Sequence, residues 1–171
     1  MNMILLQTAR LFLRPYTHED IHALYPIFSD AVTMQYYPAA FSLQQTQTWI
    51  QRNIERYNKD GFGLWAVCLQ ETKQCIGDCG LIKQQIQGKT EIEVGYHISK
   101  AFWSNGYATE AALACRDFGF EQMGVSKLVS IIDPRNTASI RVAEKIGFTK
   151  EQEAIIFNKN HCIYAGFKAN E

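Results

Sequence analysis

Hydrophobic and polar positions alternate with a period of two in "LFLRPY", which predicts a strand that Pro15 closes. "THEDIHALYPIFSD" changes to a helical period, with Thr17 as N-cap and Asp20 three residues on. Ser42 and Gln45 repeat that start before a longer helix, whose apolar face carries Trp49, Ile50, Ile54 and Tyr57 and which Gly61 ends. Strand patterning then returns three times, in "GLWAVCLQ", "CIGDCGLIKQQ" and "TEIEVGYHI", with a turn expected at Gly88-Lys89. The remainder predicts a helix over about 106–122, a strand over 127–133, a helix over 136–146 and two strands ending near Lys168. This order implies a mixed α+β fold, a sheet with helices on its faces, in one domain spanning 1–171.

Composition narrows the function classes. Basic and acidic residues balance at 17 each, with no block of like charge, so neither nucleic acid nor an anionic membrane is expected as a partner. The N-terminal run has no basic segment before it and stops at Gln7, which predicts neither a signal peptide nor a span. Five scattered cysteines fit reduced thiols in a cytoplasm, and Cys75 with Cys79 lacks a second ligand pair at zinc spacing. "HEDIH" (His18–His22) has the letters of a zinc-protease motif. It falls in the first turn of a helix, where a capped, solvated start accounts for every residue.

Two neighbouring features carry chemistry. In "EIEVGYHI", Ile92, Val94, Tyr96 and Ile98 fall on one face, and Glu91, Glu93 and His97 on the other; Gly95 suggests a bulge or a close backbone approach. Next, "FWSNGYATEAA" runs from a glycine-containing loop into a helix with a small-residue stripe of Ala108, Ala111, Ala112, Cys115 and Gly119. The first free N–H groups of that helix make a site for a phosphate or pyrophosphate; a plain helix start with tight packing is the other reading. No P-loop or dinucleotide fingerprint is present.

The runs "EVGYHISKAFWSNGYATEAA" and "DPRNTASIRVAEKIGF", with "LFLRPYTHEDIHAL" and "CIGDCGL" ahead of them, resemble the GNAT superfamily of acyl-CoA-dependent N-acetyltransferases. Within it they are most similar to the ribosomal-protein-alanine N-acetyltransferase (RimJ/RimL-type) subgroup. The resemblance covers nearly the whole chain. It implies a twisted mixed sheet of about seven strands, splayed centrally to admit acetyl-CoA, with no metal. It implies that Trp103, Ser104, Asn105, Gly106, Tyr107, Ala108 and Thr109 cradle the pyrophosphate, Trp103 replacing a common Gln or Arg. By the same likeness, the strand around Tyr96, His97 and Ile98 pairs with pantetheine, and Asn136 contacts the cofactor arm. Ala143 stands where many relatives have a tyrosine acid, leaving Ser139 to assist the departing thiolate.

Glu93 is the candidate base, with His97 on the same face. Cys115 reads as a packed apolar thiol rather than a nucleophile. Tyr36, Tyr37 and Phe41 are candidates for an aromatic wall around an acceptor amine. The acceptor is a protein N-terminal α-amine or a small-molecule amine, and the enzyme a monomer or homodimer. The alternative is a non-catalytic acyl-CoA-binding module of the same fold.

Overall fold

A computed structural model describes Met3 and residues 5–170. The reading of the N-terminal run rests partly on Met1, Asn2 and Ile4, which lie outside the described residues. The strands are β1 (Leu6–Gln7), β2 (Leu11–Arg14), β3 (Leu64–Leu69), β4 (Cys75–Ile86), β5 (Lys89–Ile98), β6 (Lys127–Ile132), β7 (Thr149–Ile156) and β8 (Lys159–Phe167). They form one sheet of eight strands in the order β1-β2-β3-β4-β5-β6-β8-β7. The strand beyond the expected seven is β1, a two-residue piece too short to show a period. Four α-helices accompany the sheet: α1 (Ile21–Phe28), α2 (Leu43–Asp60), α3 (Tyr107–Asp117) and α4 (Thr137–Lys145).

The capping signals work as the sequence suggests. Ser42 and Gln45 exchange side-chain and backbone hydrogen bonds at the start of α2, and Gly61 closes that helix with φ +82°. At Thr17 the chain first makes a 3₁₀ turn over His18–Asp20, with Asp20 accepting from the Thr17 N–H at 2.7 Å. Beyond α3 the helix widens into a π turn over Phe118–Gln122, so the expected helix over 106–122 is regular only to Asp117.

Two expectations need correcting. The turn between β4 and β5 is Gln87-Gly88, both at positive φ, and Lys89 already belongs to β5. Gly95 makes no bulge, because the β4–β5 register runs unbroken from Gly77↔Ile98 to Ile86↔Lys89. A Cβ there would meet only Leu64 Cδ2, at 3.4 Å, close to ordinary van der Waals contact. The shifts of register fall elsewhere, at Val67/Cys68 in β3 and at Lys150/Gln152 in β7.

All neighbouring strands are antiparallel except β5 and β6. The period-two faces of β5 then separate two cores. Val94, Tyr96 and Ile98 pack with Ala111, Ala112 and Cys115 of α3 and with Ala143 and Ile146 at α4. On the opposite face α1 and α2 bury Phe28, Ile50 and their neighbours against Ala66 and Cys68 of β3.

Candidate active site

The sheet opens in its middle. β5 and β6 run parallel but share one paired couple, Glu93↔Val129, whereas β4 and β5 share ten from Gly77↔Ile98 onward. Beyond Glu93 the two strands part. Antiparallel pairing directs the main chain of alternate residues to alternate sides. Val94 O accepts from Ser130 Oγ on β6 at 3.1 Å, so the main chain of Val94, Tyr96 and Ile98 faces away from β4. Ile98 O is taken by the Trp103 indole Nε1–H at 2.7 Å. The N–H and C=O of Tyr96 and the N–H of Ile98 are left facing the opening.

The loop from Trp103 ends at one lip of that opening. Ser104 (φ +64°) and Gly106 (φ +81°) both take left-handed conformations, which turn the chain sharply into α3. The first bond of α3 runs from Glu110 N–H to Gly106 O, and no side chain caps the helix. The N–H groups of Tyr107, Ala108 and Thr109 therefore point into the loop as anion donors. Asn105 Nδ2 fixes the loop from within by donating to Phe102 O and Trp103 O at 3.1 and 3.0 Å.

The loop from Trp103 to Thr109 contains no Lys or Arg, but the fold brings one to it. Arg10, just ahead of β2, donates from Nη1 to Asn105 O at 2.8 Å and lies over the Tyr107 ring at 4.5 Å. It also pairs with Glu110, which accepts from Thr8 Oγ1 as well. Nothing local in the sequence marks this contact, because it closes across most of the chain.

At the other lip, Asn136 is the N-cap of α4, its Oδ1 accepting from Ser139 N at 3.1 Å. Ser139 Oγ donates to Tyr96 Oη at 3.0 Å, and Tyr96 Oη donates to Ser139 O at 2.8 Å. The Tyr96 side chain thus ties β5 to the first turn of α4, and burial pushes its phenol pKa up. Ala143 is fully buried in the core below.

The opposite face of β5 holds a connected polar group. Asp78 of β4, with no exposure, accepts from Tyr16 Oη and Trp49 Nε1, both at 2.9 Å, and lies 2.6 Å from His97 Nδ1. His97 Nε2 meets the Tyr37 hydroxyl. Phe28, Phe41, Trp49 and Tyr37 pack edge-on or tilted around one another, and Phe28, Trp49 and Tyr37 also flank the His97 ring. Asp78 was not singled out in the sequence; its signal was a lone acid within the apolar run Cys75–Ile82 that opens β4. His97, expected among the cofactor contacts, presents its main chain to β4, with its C=O against Gly77, and its side chain to this cluster. Tyr36 points the other way, donating to Arg135 O at 3.3 Å ahead of α4.

Glu93 sits between these regions, partly exposed, accepting from Gln84 Nε2 at 2.8 Å. Burial raises its carboxyl pKa above the ordinary value, opposed by that hydrogen bond and by the nearby His97.

The acetyltransferase (GNAT) domain model matches residues 10–149. The chain belongs to the GNAT acetyltransferase family. It is 38% identical to the uncharacterized protein YkkB of Bacillus subtilis, over 93% of each chain. Among solved structures it is similar to an acetyltransferase from Agrobacterium tumefaciens, at TM-score 0.85 and 28% identity over 98% of this chain and 96% of that one. It also shares the fold of RimL, a ribosomal L7/L12 α-N-protein acetyltransferase in complex with coenzyme A. There the TM-score is 0.79 at 18% identity, over 97% of this chain and 98% of that one.

GNAT acetyltransferases use acetyl-CoA, and the residues present fit that group. The uncapped N–H groups of Tyr107, Ala108 and Thr109 suit a pyrophosphate, and the free main chain of Tyr96 suits an extended amide-containing arm. As a GNAT site it has no tyrosine on α4; the phenol that reaches α4 comes from Tyr96 on β5. Among the described residues no group of three or more His, Cys, Asp and Glu converges as a metal site, and no helix is long and apolar enough to cross a membrane. His18 and Asp20 of "HEDIH" lie in the 3₁₀ turn, where Asp20 is held by Arg14 at 2.7 Å.

Proposed function

We propose that this N-acetyltransferase acetylates a primary amine presented to the His97 face of β5, and that it is of the RimJ/RimL type. The single couple Glu93↔Val129 carries the reading, since it leaves an opening through the sheet from the α3 lip to the aromatic cluster. Tyr107, Ala108, Thr109 and Gly106 hold the pyrophosphate by main-chain N–H groups. Tyr96, with the Ile98 N–H, pairs with the pantetheine arm, and Asn136 and Trp103 flank it. Bound acetyl-CoA supplies an activated acetyl thioester.

An amine attacks only when neutral, so an ammonium must first lose a proton. Glu93 takes it: its raised pKa makes it a stronger base than an exposed glutamate. The Tyr96 N–H stands ready for the carbonyl oxygen, and such donors contribute roughly 2.7–4 kcal/mol in well-studied enzymes. Ser139, fixed by Tyr96, offers a hydrogen bond near the departing sulfur.

Tyr37 and Phe41 line the acceptor side with rings, which favours an amine carried on an apolar or aromatic body, whether a small molecule or a protein N-terminus. Five free cysteines support a reducing, cytoplasmic setting, and we read 1–171 as one catalytic unit. A thiol-release assay with acetyl-CoA across arylalkylamines, alkylamines, polyamines and short peptides tests this. Release with a monoamine or peptide, and product mass increased by one acetyl group, is expected. Binding of acetyl-CoA without release on any amine contradicts it.

A further inference from the structure

Resting on the acyl-transfer reading, we propose that Tyr37, His97 and Asp78 form a proton relay that removes the second proton from the acceptor nitrogen. The path runs from the partly exposed loop before α2 to the fully buried carboxylate of β4. Asp78 lies 2.6 Å from His97 Nδ1, and His97 Nε2 meets the Tyr37 hydroxyl. A buried carboxylate at Nδ1 takes the N–H of that nitrogen, which leaves Nε2 as the acceptor. The Tyr37 hydroxyl must then donate inward. Its oxygen keeps lone pairs for an N–H arriving from the acceptor side, and no other partner meets it among the described residues.

Packing holds this line in place. Phe28 and Trp49 set their rings edge-on to His97, at centroid distances of 5.7 and 5.4 Å. Tyr16 and Trp49 each donate to the other Asp78 oxygen, so that carboxylate cannot rotate away. A carboxylate needing only satisfaction already has these two donors. The third connects it to the half-buried His97, whose side chain is 16% exposed, and through it to the acceptor loop. Burial, with the charges of Asp78 and Glu93, pushes the Tyr37 phenol far up, so the hydroxyl stays protonated as the hydrogen-bond donor to Nε2.

The chemistry gives such a path a use. An ammonium becoming an amide loses two protons, and one carboxylate takes only one per turnover. Glu93 takes the first. As the new C–N bond forms, the thioester C–S bond breaks and coenzyme A leaves as a thiolate that takes a proton from solvent; at the nitrogen an N–H bond breaks toward Tyr37 Oη, the Tyr37 O–H breaks toward His97 Nε2, and an Nε2–H bond forms. Tyr37 ends neutral, and His97 ends as an imidazolium beside the Asp78 carboxylate. Solvent then takes that proton. Tyr37 is the catalytic residue of the relay, and Asp78 is a positioning residue.

The charged and polar groups that face His97 are Asp78 on β4, Glu93 on β5 and Tyr37 on the loop, with Tyr16 reached through Asp78 and Arg56 of α2 through Glu93. The relay works only with His97 Nε2 free to accept a proton.

The test uses the full chain with Tyr37→Phe and His97→Gln. Long-range ¹H–¹⁵N spectra of ¹⁵N-histidine-labelled protein should show His97 protonated at Nδ1 and unprotonated at Nε2, and Tyr37→Phe should shift the Nε2 signal. With the best amine of the panel above, Tyr37→Phe should lower kcat at least tenfold. His97→Gln should lower kcat by a similar factor. Both variants should keep the thermal shift given by acetyl-CoA. An Nε2-protonated tautomer, or a Tyr37→Phe enzyme with unchanged kcat and pH profile, overturns the relay while leaving acetyl transfer intact. A wild-type chain that acetylates no amine overturns the relay together with the reading beneath it.

Discussion

Arg10 and Glu110 are a hundred residues apart in sequence, yet Arg10 Nε stands 2.7 Å from Glu110 Oε2. The pair fastens the start of β2 to the first turn of α3, and through Arg10 Nη1 to the loop carbonyl of Asn105. Glu110 therefore fixes the loop before α3 through Arg10, in a contact made from the β2 side.

Against the cost of partial burial, bonds from Thr8 and Arg10 hold the Glu110 carboxyl below its usual pKa. Its stabilisation is present above the unfolded value of about 4.3 and is lost as pH falls through the folded one. A half-exposed arginine limits the worth of this pair to about 1 kcal/mol. Glu110→Ala should weaken acetyl-CoA binding up to about fivefold with kcat unchanged, measured by calorimetric titration. A loss of kcat alone would place Glu110 in the chemistry instead.

Gly106→Val should weaken acetyl-CoA at least tenfold. The position has φ +81°, where a side chain costs roughly 1–2 kcal/mol, and a Cβ would lie 3.4 Å from Arg10 Nη2. A thermal-shift titration reads the affinity, with circular dichroism confirming the fold.

Glu93→Gln should trade activity for stability. A partly buried carboxylate with a raised pKa contributes most below its unfolded value, and its penalty is complete above the folded one. At pH 7 the amide removes that penalty, so Tm should rise by roughly 2–4 °C per kcal/mol relieved. The kcat should fall about 10²-fold or more, and the acid limb that Glu93 sets above the ordinary carboxylate range should vanish.

Ser139→Ala leaves Tyr96 Oη bonded to the main-chain O of residue 139 and Asn136 still capping α4. The fold should persist, with kcat falling more than acetyl-CoA affinity. Equal losses in both would make Ser139 a binding residue.

The sequence showed the loop before α3, the two faces of β5 and the caps, because each is set by neighbours within a few residues. The opening itself was legible only through family likeness: Gly95 suggested a local bulge, whereas the strands part on the β6 side, where no local pattern reports pairing. Arg10 at the loop and Asp78 beneath His97 escaped notice for the same reason. Both are long-range contacts, closing across 95 and 19 residues. His97 was assigned to the cofactor by its place in the strand, while period-two alternation sends its side chain to Asp78 and the aromatic cluster.

The central claim is that coenzyme A lies along β5 in the opening beyond Glu93. Amide hydrogen exchange by NMR, with and without saturating coenzyme A, tests it at single residues. Slowed exchange at Tyr96, Ala108 and Thr109, with His97 unchanged because β4 already holds its N–H, is the predicted result. Unchanged exchange at Tyr96 and Ala108 under saturation would contradict the account.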